Sequence, residues 1–207
     1  RWKVRSSVVK LNAALTHLPT FTAAGDLDPL RTMISIPHGL DAAQEGFEAC
    51  ERGEPAIGFC ELYCQTAYDP SVAPPDRHTM SAFCHYAPYE LAEGDWEGRR
   101  EEIGGMILDS IAAYAPDVHE CVEDMQVLGP PDIEAGIGLT GGQIFQGEAM
   151  PDQMWDRRLT WRTPIEGFYM CGAATHPAGS VIALNGRNAA MAVIEDAEEA
   201  VPAARSG

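Results

Sequence analysis

Residues 167–194, GFYMCGAATHPAGSVIALNGRNAAMAVI, carry the most informative pattern in this sequence. Within it, Phe168–Cys171 is an apolar run of strand length that ends at a glycine, which predicts a short buried strand. Ser180 occupies an N-cap position, and the alanine-rich residues after it predict a helix over Val181–Ala197. The start of a helix presents free backbone N–H groups and a partial positive charge, which suits a pyrophosphate or a reduced flavin ring. An ordinary structural corner without a ligand is the alternative.

The residues before this stretch predict a sheet covered by helices. Apolar and polar residues alternate over Val9–Leu15, which is the pattern of a half-buried strand. Further apolar runs bounded by Pro, Gly or Asp predict strands at Arg31–Pro37, Ile57–Thr66, His78–Tyr86 and Val118–Leu128. Helical spacing and capping predict helices at Asp41–Arg52, with Asp41 as the N-cap, and at Asp95–Tyr114, and a short helix or turn after Pro130. We therefore expect an α+β fold whose mixed or antiparallel sheet is covered by helices.

Composition narrows the classes of partner. The 207 residues carry a formal net charge of −17, and their 45% hydrophobic share is ordinary for a folded domain. Nucleic acids and anionic membrane surfaces would repel so acidic a chain, so we expect neither as a partner. No apolar run reaches the length of a transmembrane helix, and no signal peptide is recognisable. The acidity is explained by solubility, with an acidic docking surface as the alternative.

The cysteines do not form the pattern of a disulfide framework or a zinc site. They are scattered, mostly within apolar stretches, at Cys50, Cys60, Cys64, Cys84, Cys121 and Cys171. Buried free thiols that act as small hydrophobes are the expected state, with metal binding or redox chemistry as the alternative. No metal site is predicted. Free thiols indicate that the protein resides in a reducing compartment, such as the cytoplasm or a mitochondrial matrix. Its location is otherwise unassigned.

One dense basic group stands near the end of the chain, at Arg157, Arg158 and Arg162. Arginines so close together could bind a phosphate or a carboxylate. A solvated turn is the simpler interpretation, and it is the one that we expect.

Several separate motifs carry a resemblance to a known family. They are GAATHPAG at residues 172–179, GRNAA at 186–190, GLTGGQIFQG at 138–147, RTPIEG at 162–167, TAYDPSVAPP at 66–75 and SVVKLNAALTHLPTF at 7–21. Together they resemble the phytoene desaturase-like FAD-dependent oxidoreductases, and the first two resemble the C-terminal flavin-binding signature of that family. The resemblance extends over nearly the whole chain.

The resemblance implies how the chain is divided. Members of the family begin with a G-x-G-x-x-G turn that holds the ADP half of FAD, and this motif does not occur in the chain. We therefore expect the C-terminal portion of a longer polypeptide whose N-terminal dinucleotide-binding portion is missing. Residues 1–137 would form a substrate-binding domain, residues 138–200 would return to the FAD-binding domain with its closing strand and helix, and residues 201–207 would be a tail. The chain by itself is expected to lack stoichiometric FAD and to associate into oligomers.

The resemblance also implies roles for residues of the turn. Gly172 and Ala173 would let the backbone approach the cofactor, and Val181 and Ile182 would offer backbone N–H groups to the N1/O2 edge of the flavin. Thr175 and Gly179 complete the expected cofactor-binding set. His176 is the candidate catalytic acid or base, although a histidine before a proline is more often structural.

The function implied is that of an FAD-dependent oxidoreductase of the desaturase or dehydrogenase kind, which passes hydride from its substrate to the flavin. The substrate would be small and either apolar or an amine. A non-catalytic binding or regulatory protein that keeps the flavoprotein fold is the alternative. An independent α+β domain without flavin is a third possibility, and it would make the terminal motif a coincidence.

Overall fold

The computed structural model describes residues 2–22, 28–179 and 181–200. The chain divides into two compact units. The first, which we call the sheet unit, is Arg5–Gly142, and the second, which we call the turn unit, combines Arg1–Val4 with Gln143–Gly207. None of the helices in the described residues is long and apolar enough to cross a membrane.

The sheet unit contains one five-stranded antiparallel sheet. Its strands are β1 (Ser6–Leu15), β2 (Ile34–Pro37), β3 (Phe59–Tyr63), β4 (His78–Pro88) and β5 (Val122–Leu128). Their order in the sheet is β2-β3-β4-β1-β5, and every neighbouring pair is antiparallel. The predicted α+β class and the antiparallel form of the sheet are confirmed.

Five α-helices lie in the described residues. Four belong to the sheet unit, namely α1 (Leu40–Glu51), α2 (Trp96–Ala112), α3 (Val118–Cys121) and α4 (Pro130–Ile137), and α5 (Leu184–Ala200) belongs to the turn unit. In α2, Ile103, Ile107 and Ile111 recur every four residues and are fully buried, because this spacing puts them on one side of the helix. They pack into the same apolar cluster as the alternate buried residues of β1, which include Leu11 and Leu15.

The cysteines confirm the prediction of buried free thiols. Five of them are buried and Cys171 is exposed, and none of the six forms a disulfide. Burial raises the pKa of the Cys64 thiol to about 12, so that this group stays protonated and apolar at neutral pH. A hydrogen bond with the Cys60 thiol, which lies opposite on the neighbouring strand, raises the pKa of Cys84 as well.

Two predictions within the sheet unit are wrong. Asp41 is not the N-cap of the first helix, because α1 begins at Leu40. The cap is Gly39, the residue before it, whose φ of 100° is not helical and favours glycine. The segment Val118–Cys121 is a helical turn and not the start of a strand. Val118 and Cys121 are buried by this helical turn, and the extended backbone of β5 starts only at Val122.

The predicted strand and helix of the turn unit also differ from the structure. Phe168–Cys171 is not a strand, since its only ladder contact is a single antiparallel bridge between Arg162 and Tyr169. The predicted N-cap, Ser180, lies outside the described residues. The helix α5 begins at Leu184 and not at Val181, because Ala183 has a left-handed backbone (φ 57°) that a helix cannot include.

An ion pair joins three elements of the sheet unit. Arg100 of α2 binds the carboxylate of Asp132 through both terminal nitrogens, at 2.6 and 2.7 Å, and also donates to the backbone oxygen of Val127 at 2.8 Å. The same carboxylate accepts the N–H of Gly129 at 2.8 Å, at the start of α4. The hydrogen bonds from Arg100 are the main cause that holds the pKa of Asp132 below its usual value.

We expect Asp132→Asn to lower the free energy of unfolding at pH 7 by about 1.5–3 kcal/mol, because it removes a charged hydrogen-bond acceptor. Since the folded-state pKa of Asp132 is lowered, its contribution is present above the unfolded value of about 4 and is lost as the pH falls through the folded value. Urea unfolding of both proteins at a series of pH values measures this difference. The exposed Asp124→Asn is the control, and a difference for Asp132→Asn that does not shrink with acid would contradict the assignment.

Two adjacent glycines in α2 provide a test of the packing. A Cβ on Gly105 would meet no atom of the described residues within 4 Å, whereas one on Gly104 would lie 2.8 Å from the Met125 Cε and 3.0 Å from a Val127 methyl. Alanine is better than glycine in a helix by about 0.5–1 kcal/mol. We therefore expect Gly105→Ala to raise the free energy of unfolding by that amount and Gly104→Ala to gain less or to lose stability. If urea unfolding shows the same gain in the free energy of unfolding for both variants, α2 does not pack closely on β5.

Candidate functional site

The motif residues 172–179 form a compact turn in the turn unit. Its centre is Thr175, whose side chain is fully buried. The backbone N–H and the hydroxyl of Thr175 both donate to the backbone oxygen of Gly172, at 3.0 and 2.9 Å. The N–H of Ala178 donates in turn to the backbone oxygen of Thr175 at 2.8 Å. The turn is thus folded around Thr175, and this side chain supports the backbone.

Asn185, in the first turn of α5, anchors the helix to this turn. Its buried side-chain NH₂ group lies 2.9 Å from the backbone oxygen of Thr175, 3.1 Å from the Thr175 hydroxyl and 3.2 Å from the backbone oxygen of Gly172. Sequence reasoning missed Asn185. Its place directly before the Gly186-Arg187 motif was the available signal.

Arg158 supports the turn from its other side. The side chain is almost fully buried, and its Nη2 donates to the backbone oxygens of Phe145 at 2.6 Å and Ala173 at 2.8 Å. Its Nη1 lies 3.3 Å from the backbone oxygens of Gly147 and Glu148. Desolvation by burial lowers the pKa of Arg158, and the Nε has no hydrogen-bond partner within the described chain. The guanidinium therefore acts as a structural link between four backbone carbonyls.

The expectation of a solvated basic turn is wrong for Arg158 because its charge is buried and bonded to backbone oxygens. Arg162 is more exposed, and it pairs with Glu195 at 2.8 Å and Asp196 at 2.9 Å on α5. The sequence grouped three arginines: Arg157 is exposed, as expected, whereas Arg158 and Arg162 stabilise different parts of the turn unit.

The outer side of the turn is open. Gly172 and the apolar residues Val181 and Ile182 are exposed, and within the described chain no acceptor lies opposite the N–H of Val181 or Ile182. Among the described residues, a Cβ on Gly172 would meet only the side chain of Gln146, whose Oε1 would lie at 3.0 Å. A Cβ on Gly179 would instead lie 2.9 Å from the ring of Phe145, so this glycine faces inward.

His176 lies on the flank of the turn and is half-buried. Its Nδ1 is 3.1 Å from the backbone oxygen of Trp155, and its backbone N–H donates to the oxygen of Leu159 at 2.7 Å. A carbonyl oxygen only accepts, so the Nδ1 carries the proton in this contact. The Nε2 of the neutral ring is then left as a hydrogen-bond acceptor.

The ligand that the family resemblance implies at this surface is the flavin-facing end of FAD. Free N–H groups next to a glycine can approach an electron-rich ring edge, and exposed apolar side chains can cover a flat aromatic ring. In the first turn of α5, the N–H of Arg187 donates to the backbone oxygen of Ala183 at 3.0 Å. Of the predicted cofactor-binding residues, Thr175 is buried inside the turn and Gly179 faces inward, whereas Gly172, Val181 and Ile182 are exposed.

Comparison with known proteins gives a consistent set of relatives. No family model matches the chain. The chain is 36% identical to mouse pyridine nucleotide-disulfide oxidoreductase domain-containing protein 2, across 93% of the chain and 36% of the mouse protein. It is 31% identical to one of the subunits of limonene dehydrogenase from Castellaniella defragrans, across 92% of the chain and 37% of that protein. It is 24% identical to a phytoene desaturase (lycopene-forming) of Paracoccus, across 79% of the chain and 32% of the relative. The chain thus spans about a third of the length of these relatives.

We expect Asn185→Ala to loosen the turn because it removes the donor that joins Gly172 and Thr175 to α5. Loss of a buried hydrogen-bonding side chain costs about 1–3 kcal/mol. Hydrogen exchange of the Thr175 and Ala178 amides should therefore become faster by roughly tenfold or more. Asn188→Ala, three residues further along α5, is the matched control and should leave these amides protected. Unchanged protection in Asn185→Ala would show that the side chain does not hold the turn.

Proposed function

This chain belongs to the family of pyridine nucleotide-disulfide oxidoreductase domain-containing protein 2, and on that premise we propose that it is part of an FAD-dependent oxidoreductase. Its residues 1–137 would supply the substrate-binding domain and residues 138–200 the return to the flavin. The portion that binds the ADP half of FAD would lie outside these 207 residues. The names of the relatives support the oxidoreductase class.

The observation that carries this proposal is the two-sided turn of Gly172–Ile182. Its inner side is held by Asn185 and Arg158 through backbone oxygens, and its outer side leaves the N–H groups of Val181 and Ile182 open. A rigid inner side and an open outer side are what a preorganised ligand contact requires, because little conformational entropy remains to be lost on binding.

The residues of the turn then have distinct roles. The N–H groups of Val181 and Ile182 would hold the flavin ring and would stabilise the negative charge that it carries when reduced. Gly172 and Ala173 leave room for the backbone to approach the cofactor. Gly179 and Thr175 keep the turn closed from within. Bound FAD would supply the acceptor for a hydride removed from the substrate.

His176 is the residue that we propose to move a proton at this site. The contact with Trp155 holds the Nδ1 proton in place and leaves the Nε2 free to accept or to return a proton. The ring orientation is fixed by the same contact. The role concerns a proton at Nε2 only, so it is separate from the binding of the cofactor.

The proposed substrate is small and apolar, with an amine as the second class. Two relatives are named for limonene and for phytoene, which favours the apolar class for this chain. The missing dinucleotide-binding portion is the required partner, whether it lies on the same polypeptide or on another.

The test replaces Gly172 in the complete flavoprotein, which includes the dinucleotide-binding portion. We expect Gly172→Val to abolish retention of FAD without unfolding the protein, because its side chain would occupy the space through which the cofactor approaches the backbone. His176→Ala should keep FAD and lower turnover, since water can replace an imidazole hydrogen bond. Flavin absorbance per polypeptide, circular dichroism and reduction of the bound flavin by substrate measure these outcomes.

Gly136→Val is the control because a Cβ at Gly136 would meet no atom within 4 Å in the part of the chain that the structure describes. A full complement of FAD in Gly172→Val would mean that the turn is only structural. Equal loss of FAD in His176→Ala and Gly172→Val would show that the role assigned to the histidine is wrong. A bound flavin that no substrate reduces would favour the non-catalytic protein over the enzyme.

A further inference from the structure

We propose that His17, Asp117 and Cys121 of the sheet unit form a zinc-binding site. This site involves none of the residues of the Gly172–Ile182 turn, and it goes beyond the oxidoreductase function proposed above. One potential ligand atom from each of the three side chains lies within 4.8 Å of the other two. The set offers one imidazole nitrogen, one carboxylate oxygen and one thiol sulfur.

Local structure explains why the three side chains meet. Asp117 is the residue before α3 and Cys121 is its last residue, so the two stand four positions apart on one helical turn and share a side. His17 follows the end of β1 by two residues. The strand β1 pairs with β5, which starts directly after α3, so the sheet brings the histidine to the helical turn.

Backbone hydrogen bonds hold this arrangement on both sides of His17. The N–H of Thr16 donates to the backbone oxygen of Cys121 at 2.8 Å, and the Thr16 hydroxyl lies 3.2 Å from the same oxygen. The N–H of Thr20 lies 2.9 and 3.1 Å from the two oxygens of the Asp117 carboxylate. The loop that carries the histidine is therefore attached to the segment that carries the other two ligands, so the site is largely formed before any ion arrives.

The chemistry of the three ligands selects zinc. Histidine nitrogen, carboxylate oxygen and thiolate sulfur are its usual ligands, at bond lengths of about 2.0–2.3 Å in a tetrahedron. A thiolate and a carboxylate together offset the charge of a divalent ion. Calcium and magnesium prefer all-oxygen sites, so the sulfur and nitrogen disfavour both. Water would take the fourth position.

Formation of the site requires a small adjustment and the loss of one proton. The present spread of up to 4.8 Å is wider than the ligand–ligand distance of roughly 3.5 Å in a zinc tetrahedron. His17 is exposed and Cys121 is buried, so rotation of the histidine provides most of the closure. As the Zn–S bond forms, the S–H bond of Cys121 breaks and its proton passes to solvent, with no change of oxidation state.

The test uses the full 207-residue chain, titrated separately with Zn²⁺ and with Co²⁺. Binding of one Zn²⁺ per chain is measured by competition with a chromophoric chelator. A thiolate-to-cobalt charge-transfer band in the near ultraviolet reports that sulfur is a ligand. We expect His17→Gln to weaken Zn²⁺ binding by roughly tenfold or more, since loss of even an outer-shell partner of a zinc ligand costs 10–100-fold. Cys121→Ser should abolish the cobalt band.

Two matched variants serve as controls. His119→Gln removes another exposed histidine of the same helical turn, which is bonded to Asp109 at 2.9 Å. Cys171→Ser removes the exposed thiol of the turn unit, which would capture metal adventitiously. Both should bind Zn²⁺ as the unaltered chain does.

Several outcomes would overturn the proposal. A folded chain that shows no cobalt band, or a band that survives in Cys121→Ser or disappears in Cys171→Ser, excludes Cys121 as the ligand. If Cys121→Ser fails to fold, His17→Gln decides, because an exposed side chain can be replaced without loss of the core. Unchanged Zn²⁺ affinity in His17→Gln would therefore contradict the proposed zinc site. None of these measurements depends on FAD, so failure here leaves the proposed oxidoreductase function unaffected.

Discussion

The burial of one side of β1 is the constraint on which the sheet unit depends. This strand pairs with β4 on one edge and β5 on the other, and its alternate residues Leu11 and Leu15 are fully buried. A side-chain period of two means that a shift by one residue would turn these apolar groups to the opposite face. Each such group contributes roughly 1.5–3 kcal/mol when buried, so the register is strongly determined. The positions of β4, β5 and the helix α2 follow from it.

The turn unit is organised by a different interaction. Its segment 143–179 contains no described α-helix or strand ladder, and buried polar side chains hold it in place of a sheet. Arg158 and Asn185 bind backbone oxygens that regular structure would otherwise satisfy. Leaving such buried groups unpaired costs about 1–3 kcal/mol each, which explains why the conformation is defined without a ladder. The outward N–H groups of the proposed flavin contact owe their position to these inward bonds.

The elements predicted correctly are those with a local signal. Alternation over Val9–Leu15 and regular spacing of the isoleucines in α2 report burial on one side, and both elements exist where the pattern placed them. Phe168–Cys171 has the composition of a strand but only one bridge to a neighbour, because a strand also needs a partner that its own sequence does not specify. For the candidate site, the sequence located the segment through its glycines and did not find Asn185 or Arg158. Asn185 looked like any polar helix residue, and three close arginines looked like a solvated turn.

By itself, the sequence determined the α+β class and the burial of five of the six thiols. Both follow from composition or from a period that a single element imposes on its own residues, whereas the segment of the candidate site was located through the family resemblance. Only the tertiary structure decided the strand order, the burial of Arg158 and the meeting of His17 with Asp117 and Cys121. These depend on contacts between residues far apart in the chain. The free energy of such contacts is set by which groups lose water together, and no local pattern encodes that pairing.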